Sequence, residues 1–298
     1  MKISILLPYK ENFSPTYAGA VSLFIKETLL RSKYKNVTEV FGFTQYKKKY
    51  NLNYKNINIV EDIFGGKTKD YINKFIKYQI KSKSELVEIH NRPKYVKYLS
   101  TRIKAKIALY FHNDPLTMNG SSTIKNRLEL IKLCDVIIFN SEWSYNQFMI
   151  DLTAGDIKYS KLLIIKQSAS LNKIDISKKK NSITFVGKLN RAKGYDIFGE
   201  AIIKILNEYK NWTANVIGDE QREILEYFHP RLKLWGFLNH KKVIDIYKKT
   251  SIGVACSRWE EPFGRTSLEA SANGCAVIIS NRGGLSETVT DSIILENL

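Results

Sequence analysis

Short apolar runs and longer stretches of helical periodicity take turns along this chain. Residues 2–7, 37–43, 86–90, 105–111, 135–140 and 162–166 form runs rich in Ile, Val, Leu and Phe, with the length and composition of buried strands. Between them, residues 17–32, 69–83, 125–133 and 144–152 repeat their apolar positions at helical spacing. The alternation then restarts. Runs at 183–186, 213–217, 232–235, 252–256, 276–280 and 293–295 are separated by helical stretches near 195–209, 222–228, 241–248 and 265–273. Parallel strands need a long crossover, and a crossover helix covers the face of the sheet, so this order predicts a doubly wound parallel sheet. Two such series predict two Rossmann-like α/β domains.

Between the two series, residues 172–182 read NKIDISKKKNS, a polar, lysine-rich stretch with no apolar period that suits an exposed linker. The expected domains are therefore 1–176 and 177–298. Ligands of doubly wound sheets bind beyond the carboxyl ends of the strands, which assigns the chemistry to the loops that follow them.

Composition narrows the class. The chain has 298 residues, 44% hydrophobic and 26% charged, which excludes a mainly disordered, collagenous or disulfide-scaffolded polypeptide. Its 47 basic and 29 acidic residues give a net charge of +18, which suits nucleic acid, an anionic membrane surface or a phosphorylated substrate and does not choose among them. No helix-turn-helix, aromatic-basic RNA motif or zinc module accompanies the charge, so a nucleic-acid partner is not expected. No apolar stretch approaches the roughly 20 residues of a membrane-spanning helix. The first apolar run ends at Pro8, too early for a secretory signal, so a cytoplasmic location is expected. Cys134, Cys256 and Cys275 lack metal-ligand or redox spacing and read as reduced structural thiols. There is no Asp-x-Asp, His-x-x-His, Walker loop or Gly-x-Gly-x-x-Gly after the first strand, so neither a metal nor a bound cofactor is expected.

The most informative stretch is Arg258 to Gly274, RWEEPFGRTSLEASANG, directly after the strand ending at Cys256. Glu261 falls in the loop, Pro262-Phe263-Gly264 turns the chain, and Glu269 lies about one turn into the helix that follows. The unsatisfied backbone N–H groups around Arg265, Thr266 and Ser267 can bind a phosphate, and a carboxylate can accept two sugar hydroxyls at once. Two glutamates eight positions apart within EPFGRTSLEASANGCAVI, followed by Arg282-Gly283-Gly284-Leu285-Ser286-Glu287, resemble the signature of the retaining glycosyltransferases of family four.

That resemblance implies the GT-B fold, two Rossmann-like domains facing a cleft, and a nucleotide-diphosphate sugar as substrate rather than cofactor. It implies that Glu261, with the backbone at Phe263 and Gly264, holds the donor sugar, that Arg265 and Thr266 open the phosphate-binding helix, and that Glu269 takes the ribose hydroxyls. Upstream, VGKLNRAKG at 186–194 resembles the family's diphosphate loop, with Gly187 at its turn and Lys188 and Lys193 as the cations that stabilise the departing diphosphate. Lys188 stands where arginine is commoner, which keeps the charge and loses the fork. Gly218 in VIGD and Phe237 in LWGFL resemble nucleotide-side landmarks. In the first half, Gly19 of PYKENFSPTYAGAV occupies the place of a glycine-rich loop whose amides approach the diphosphate. His112, in FHND, is the counterpart of a histidine aimed at the donor sugar, while His90 and Asn113 belong to the acceptor side.

The expected reaction is metal-independent transfer, with retention, to a glycan or lipid-linked acceptor of a lipopolysaccharide, capsule or other cell-surface polysaccharide. A nucleotide-sugar epimerase of the same fold and a basic nucleic-acid-binding protein are the alternatives. Family members continue past the Gly-Gly-x-x-Glu segment, so a shortened C-terminal domain is expected. A last reading concerns peripheral attachment to the inner membrane face. At 66–84, Tyr71, Ile72, Phe75, Ile76 and Ile80 form an apolar stripe among six lysines, the makings of either a core helix or one lying among anionic headgroups.

Overall fold

The computed structural model describes residues 1–59, 66–153, 155, 159–171 and 173–297. Two compact units emerge, Met1–Lys166 and Gln167–Leu298, with Asn172 of the expected linker and Leu298 outside the described residues.

The first unit is a seven-stranded parallel sheet in the order β3-β2-β1-β4-β5-β6-β7. Its strands are β1 (Ile3–Leu6), β2 (Thr38–Gly42), β3 (Tyr54–Asn56), β4 (Leu86–His90), β5 (Lys106–Phe111), β6 (Val136–Phe139) and β7 (Leu162–Ile164). Strand order reverses between β1 and β4, where Ile5 lies opposite Val40 on one side and Glu88 on the other. The helices are α1 (Ala20–Arg31), α2 (Lys67–Ser82), α3 (Pro93–Ser100), α4 (Ile124–Leu133) and α5 (Glu142–Met149).

Helix α2 settles one of the sequence alternatives. Tyr71, Ile72, Phe75 and Ile76 are buried against β-strand side chains such as Phe41 and Ile89, and only Ile80 of the stripe is exposed. Burying each large apolar side chain contributes about 1.5–3 kcal/mol, so the stripe is core and is not available to a headgroup layer.

The second unit is a six-stranded parallel sheet in the order β10-β9-β8-β11-β12-β13. It comprises β8 (Lys180–Val186), β9 (Thr213–Ile217), β10 (Leu232–Leu234), β11 (Thr250–Ala255), β12 (Ala276–Ser280) and β13 (Ser292–Leu295), with helices α6 (Tyr195–Glu208), α7 (His240–Tyr247) and α8 (Arg265–Ala272). Its order reverses between β8 and β11. The lysine-rich segment is fastened to this unit: Lys179 Nζ donates to the carbonyls of Tyr247, Thr250 and Asn273 at 2.9, 2.7 and 2.6 Å. A cation at helix carbonyl ends is well placed against the dipole.

The helix expected at 222–228 does not form. Glu220 accepts from Arg222 N at 3.1 Å and from its guanidinium at 2.9 Å, a local pairing that competes with a helical start. Leu225 and Tyr227 pack on the core while Ile224 and Phe228 stay exposed at 81% and 89%, so the segment buries alternate residues and Pro230 follows.

No helix among the described residues is long and apolar enough to cross a membrane.

Candidate functional site

In the second unit the strand reversal brings two loops together, residues 187–194 after β8 and 256–264 after β11. The first loop is closed by Asn190, whose side-chain oxygen accepts from Lys193 N at 3.0 Å, and by Gly194 at φ +71°. A Cβ on Gly194 would lie 1.8 Å from the carbonyl oxygen of Cys256, so only glycine lets the loops touch. The contact is sealed by Ala192 O, which accepts from Arg258 N and Trp259 N at 3.0 Å and from Ser257 Oγ at 2.9 Å.

This closure unites two of the charged residues that the motifs singled out. Lys193 Nζ donates to Glu261 Oε1, and Ser257 Oγ donates to the same oxygen at 2.9 Å. Lys188 is exposed and has no ion-pair partner among the described residues. The main chain of Glu261 is held in turn by the Gly-Gly segment: Gly284 N donates to Glu261 O at 2.6 Å, and Gly283, at φ +60°, lies so close that a Cβ would come within 2.3 Å of that oxygen.

Helix α8 begins beside this pair. Its N-cap, Gly264, is left-handed and supplies no side-chain cap, so the amides of Arg265 and Thr266 face out of the helix start. Thr266 is half-buried and Phe263 is buried, so Phe263 can meet a ligand through its backbone only. Glu269 is 4% exposed, and its Oε1 lies 2.9 Å from His240 Nε2 and 2.7 Å from Arg265 Nε. Its negative charge, with burial as the larger cause, holds the Tyr247 hydroxyl well above the usual range. Gly218, at φ +141°, packs on Gly187, where a Cβ would lie 1.8 Å from the carbonyl oxygen. Phe237 is 39% exposed after the left-handed Gly236. Sequence reading missed His240, Asn190 as a loop cap and Gly283 as a brace; an Asn three residues before Lys193 was the available signal for the cap.

The remaining candidates belong to the first unit. His90 ends β4 and His112 follows β5; both are buried, with His90 Nδ1 and His112 Nε2 2.8 Å apart, one donating and the other accepting. Glu88 Oε1 lies 2.7 Å from His90 Nε2 without hydrogen-bond alignment. Phe24 and Tyr110 pack on the rings, Tyr110 stacking on His112 with centroids 4.4 Å apart. Asn91, at φ +50°, accepts from His112 N at 2.7 Å and from Asn113 N at 3.1 Å. Gly19 caps α1, but the start of that helix already holds a carboxylate: Glu11 Oε1 accepts from Ser22 N at 2.9 Å and lies 2.3 Å from where a Gly19 Cβ would stand. Burial, the larger effect, raises the Glu11 carboxyl above its ordinary value against the lowering pull of the Ser22 amide. Among the described residues no three His, Cys, Asp or Glu side chains gather as a metal site, and the three cysteines are free and buried.

Residues 166–294 match the family described as glycosyl transferases group 1. An uncharacterized 41.2 kDa protein in the cps region of Klebsiella pneumoniae is 29% identical over 177 residues, 55% of this chain and 48% of that protein. The mannosyltransferase LpsB of lipopolysaccharide core biosynthesis from Rhizobium meliloti is 32% identical over 114 residues, 35% of this chain and 32% of that protein. The chain thus spans about half the length, or less, of these two relatives. Among solved structures, Anabaena Alr3699/HepE in complex with UDP-glucose superposes with a TM-score of 0.75 at 16% identity, covering 99% of this chain and 85% of that one. The lipopolysaccharide outer core galactosyltransferase WaaB, in its apo form, gives 0.65 at 15% identity, covering 99% and 86%. Two parallel-sheet α/β units with these neighbours are the GT-B fold.

Proposed function

We propose that this chain, whose residues 166–294 match the family of group 1 glycosyl transferases, transfers a sugar, with retention, from a nucleotide-diphosphate sugar to a glycan or lipid-linked acceptor of a cell-surface polysaccharide, on the cytoplasmic side of the membrane. One observation carries the reading: the strand reversal of the second unit joins Lys193 to Glu261 beside the uncapped start of α8. A cation, a sugar-accepting carboxylate and the amides of a helix start at one point are what a sugar diphosphate requires.

In this mechanism the bond from the sugar's anomeric carbon to the diphosphate oxygen breaks, and the bond to the acceptor oxygen forms on the same face. The acceptor's proton passes to the departing phosphate oxygen, so no protein nucleophile is needed. Lys193 and Lys188, with the α8 amides of Arg265 and Thr266, stabilise the negative charge that grows on the diphosphate. Glu261 is released from Lys193 as the phosphate takes over the ammonium, and accepts the sugar hydroxyls. Glu269, fixed by His240 and Arg265, takes the ribose, with Gly187, Gly218 and Phe237 around the nucleoside. His112, oriented by His90, bonds a sugar hydroxyl, and Asn113 lies on the acceptor side.

The Anabaena neighbour was captured with UDP-glucose, so uridine donors come first in the test. Calorimetric titration with UDP, ADP and GDP should give micromolar binding for one of them that weakens at least tenfold in Glu269→Gln. Absence of binding by all three would remove the reading.

A further inference from the structure

The first unit holds a cavity of about 830 Å³ at its own strand reversal, lined by Tyr9 after β1, Asn91 after β4, Asn113 after β5 and the starts of α2 and α3. Its wall is one-sided in charge. Lys10, Lys67, Lys69, Arg92 and Lys94 line it, and none of its described lining residues is acidic. Among the described residues no carboxylate pairs with Lys10, Lys69 or Lys94. Four of the five cations flank helix starts, with Lys67 and Lys69 in the first turn of α2, Arg92 as the N-cap of α3 and Lys94 in its first turn. Neither helix has a side-chain cap. Cations at the positive end of a helix dipole are unfavourably placed, so an anion between the two starts would relieve both the dipoles and the lysines.

A buried side chain points to the same occupant. Asn91 is 5% exposed and gives its Oδ1 to two amides, yet its Nδ2 donates to no described group and it lines the cavity. Tyr98, half-buried, lines the cavity next to it, an amphipathic wall of the kind that packs on a sugar.

We infer that this cavity binds a phosphate group carried by the acceptor, with Arg92, Lys69, Lys94 and Asn91 Nδ2 as its donors. A phosphate suits this set of converging cations better than a single carboxylate does, because it offers three or more acceptor oxygens to converging donors. The inference rests on the reading of the chain as a transferase, for which it names the acceptor class. The phosphate can belong to a lipid headgroup or to a soluble glycan phosphate, and the test separates the two.

The full chain is first saturated with whichever of UDP, ADP and GDP it binds, which fills the diphosphate loop of the second unit, and is then titrated with inorganic pyrophosphate by calorimetry. A second binding event is expected. It should weaken at least tenfold in the double variant Lys69→Gln/Lys94→Gln, in which both exposed lysines can change without disturbing the core, while affinity for the nucleoside diphosphate stays parental. Co-sedimentation with phosphatidylglycerol vesicles then assigns the source: attachment lost in the double variant marks a headgroup, and indifference of the parent to the vesicles marks a soluble phosphate. Pyrophosphate binding equal in parent and double variant would overturn the site. Absence of binding by UDP, ADP and GDP alike, with the pyrophosphate event intact, would instead count against the transferase reading and leave the anion site standing.

Discussion

Replacing Lys193 or Glu261 by alanine separates a catalytic pair from a structural one. The two side chains are 32% and 14% exposed and joined by a hydrogen bond that Ser257 reinforces. A partly exposed ion pair contributes little to stability, about 1 kcal/mol or less after screening, which for a domain of this size moves Tm by about 2–4 °C. Its worth in the reaction is of another order. A lost charged donor at a developing oxyanion costs about 2–4 kcal/mol, and at about 1.4 kcal/mol per decade this is roughly 30- to 1000-fold in kcat/KM. Both variants should therefore keep the far-ultraviolet circular dichroism spectrum and lose transfer by that factor, measured as nucleoside diphosphate released in the presence of acceptor. The double variant should lose less than the product of the two, because Glu261 without Lys193 has already lost its orienting partner. Parental kcat/KM in either single variant would refute the reasoning, as would strictly multiplicative losses.

Glu269→Gln should raise KM for the donor and leave kcat within a few-fold, since a ribose contact is equal in ground and transition states; a collapsed kcat at unchanged KM would place Glu269 at the reacting carbon instead. Gly283→Ala puts a Cβ 2.3 Å from Glu261 O at φ +60° and should reduce kcat about 100-fold by displacing that carboxylate, and parental turnover would show that the Gly-Gly brace is dispensable. Glu11 is a carboxylate whose folded pKa burial raises, so the stability it contributes is full below the unfolded value of about 4.3 and is lost as pH rises through the folded value. Glu11→Gln should then melt higher than the parent at pH 7, the gap closing below pH 4; equal Tm at both pH values would contradict the burial argument.

The sheet was readable because its strands are continuous apolar runs, the mark of parallel strands buried on both faces. Strand β3 escaped because Tyr54-Lys55-Asn56 is a three-residue edge with no apolar run. Helix α3 escaped because its eight residues follow closely on a strand, although Pro93 at its first position was a helix-start signal. The segment 222–228 misled because apolar residues are frequent there, and only burial shows which of them pack. In the site, local motifs located Lys193 and Glu261 separately, 68 positions apart, and the chain fold alone could pair them. His240 was invisible for the same reason: its partner Glu269 lies 29 positions away.

The configuration of the released sugar tests the central claim most directly. Proton nuclear magnetic resonance of the full chain with UDP-glucose and its relatives follows the anomeric signal as the donor is consumed, whether water or an added acceptor takes the sugar. The account predicts that an α-linked donor yields the α-configured product first, and that Lys193→Ala slows its appearance by roughly 30- to 1000-fold. A β-configured first product, or an epimerised nucleotide sugar with no sugar released, would contradict it.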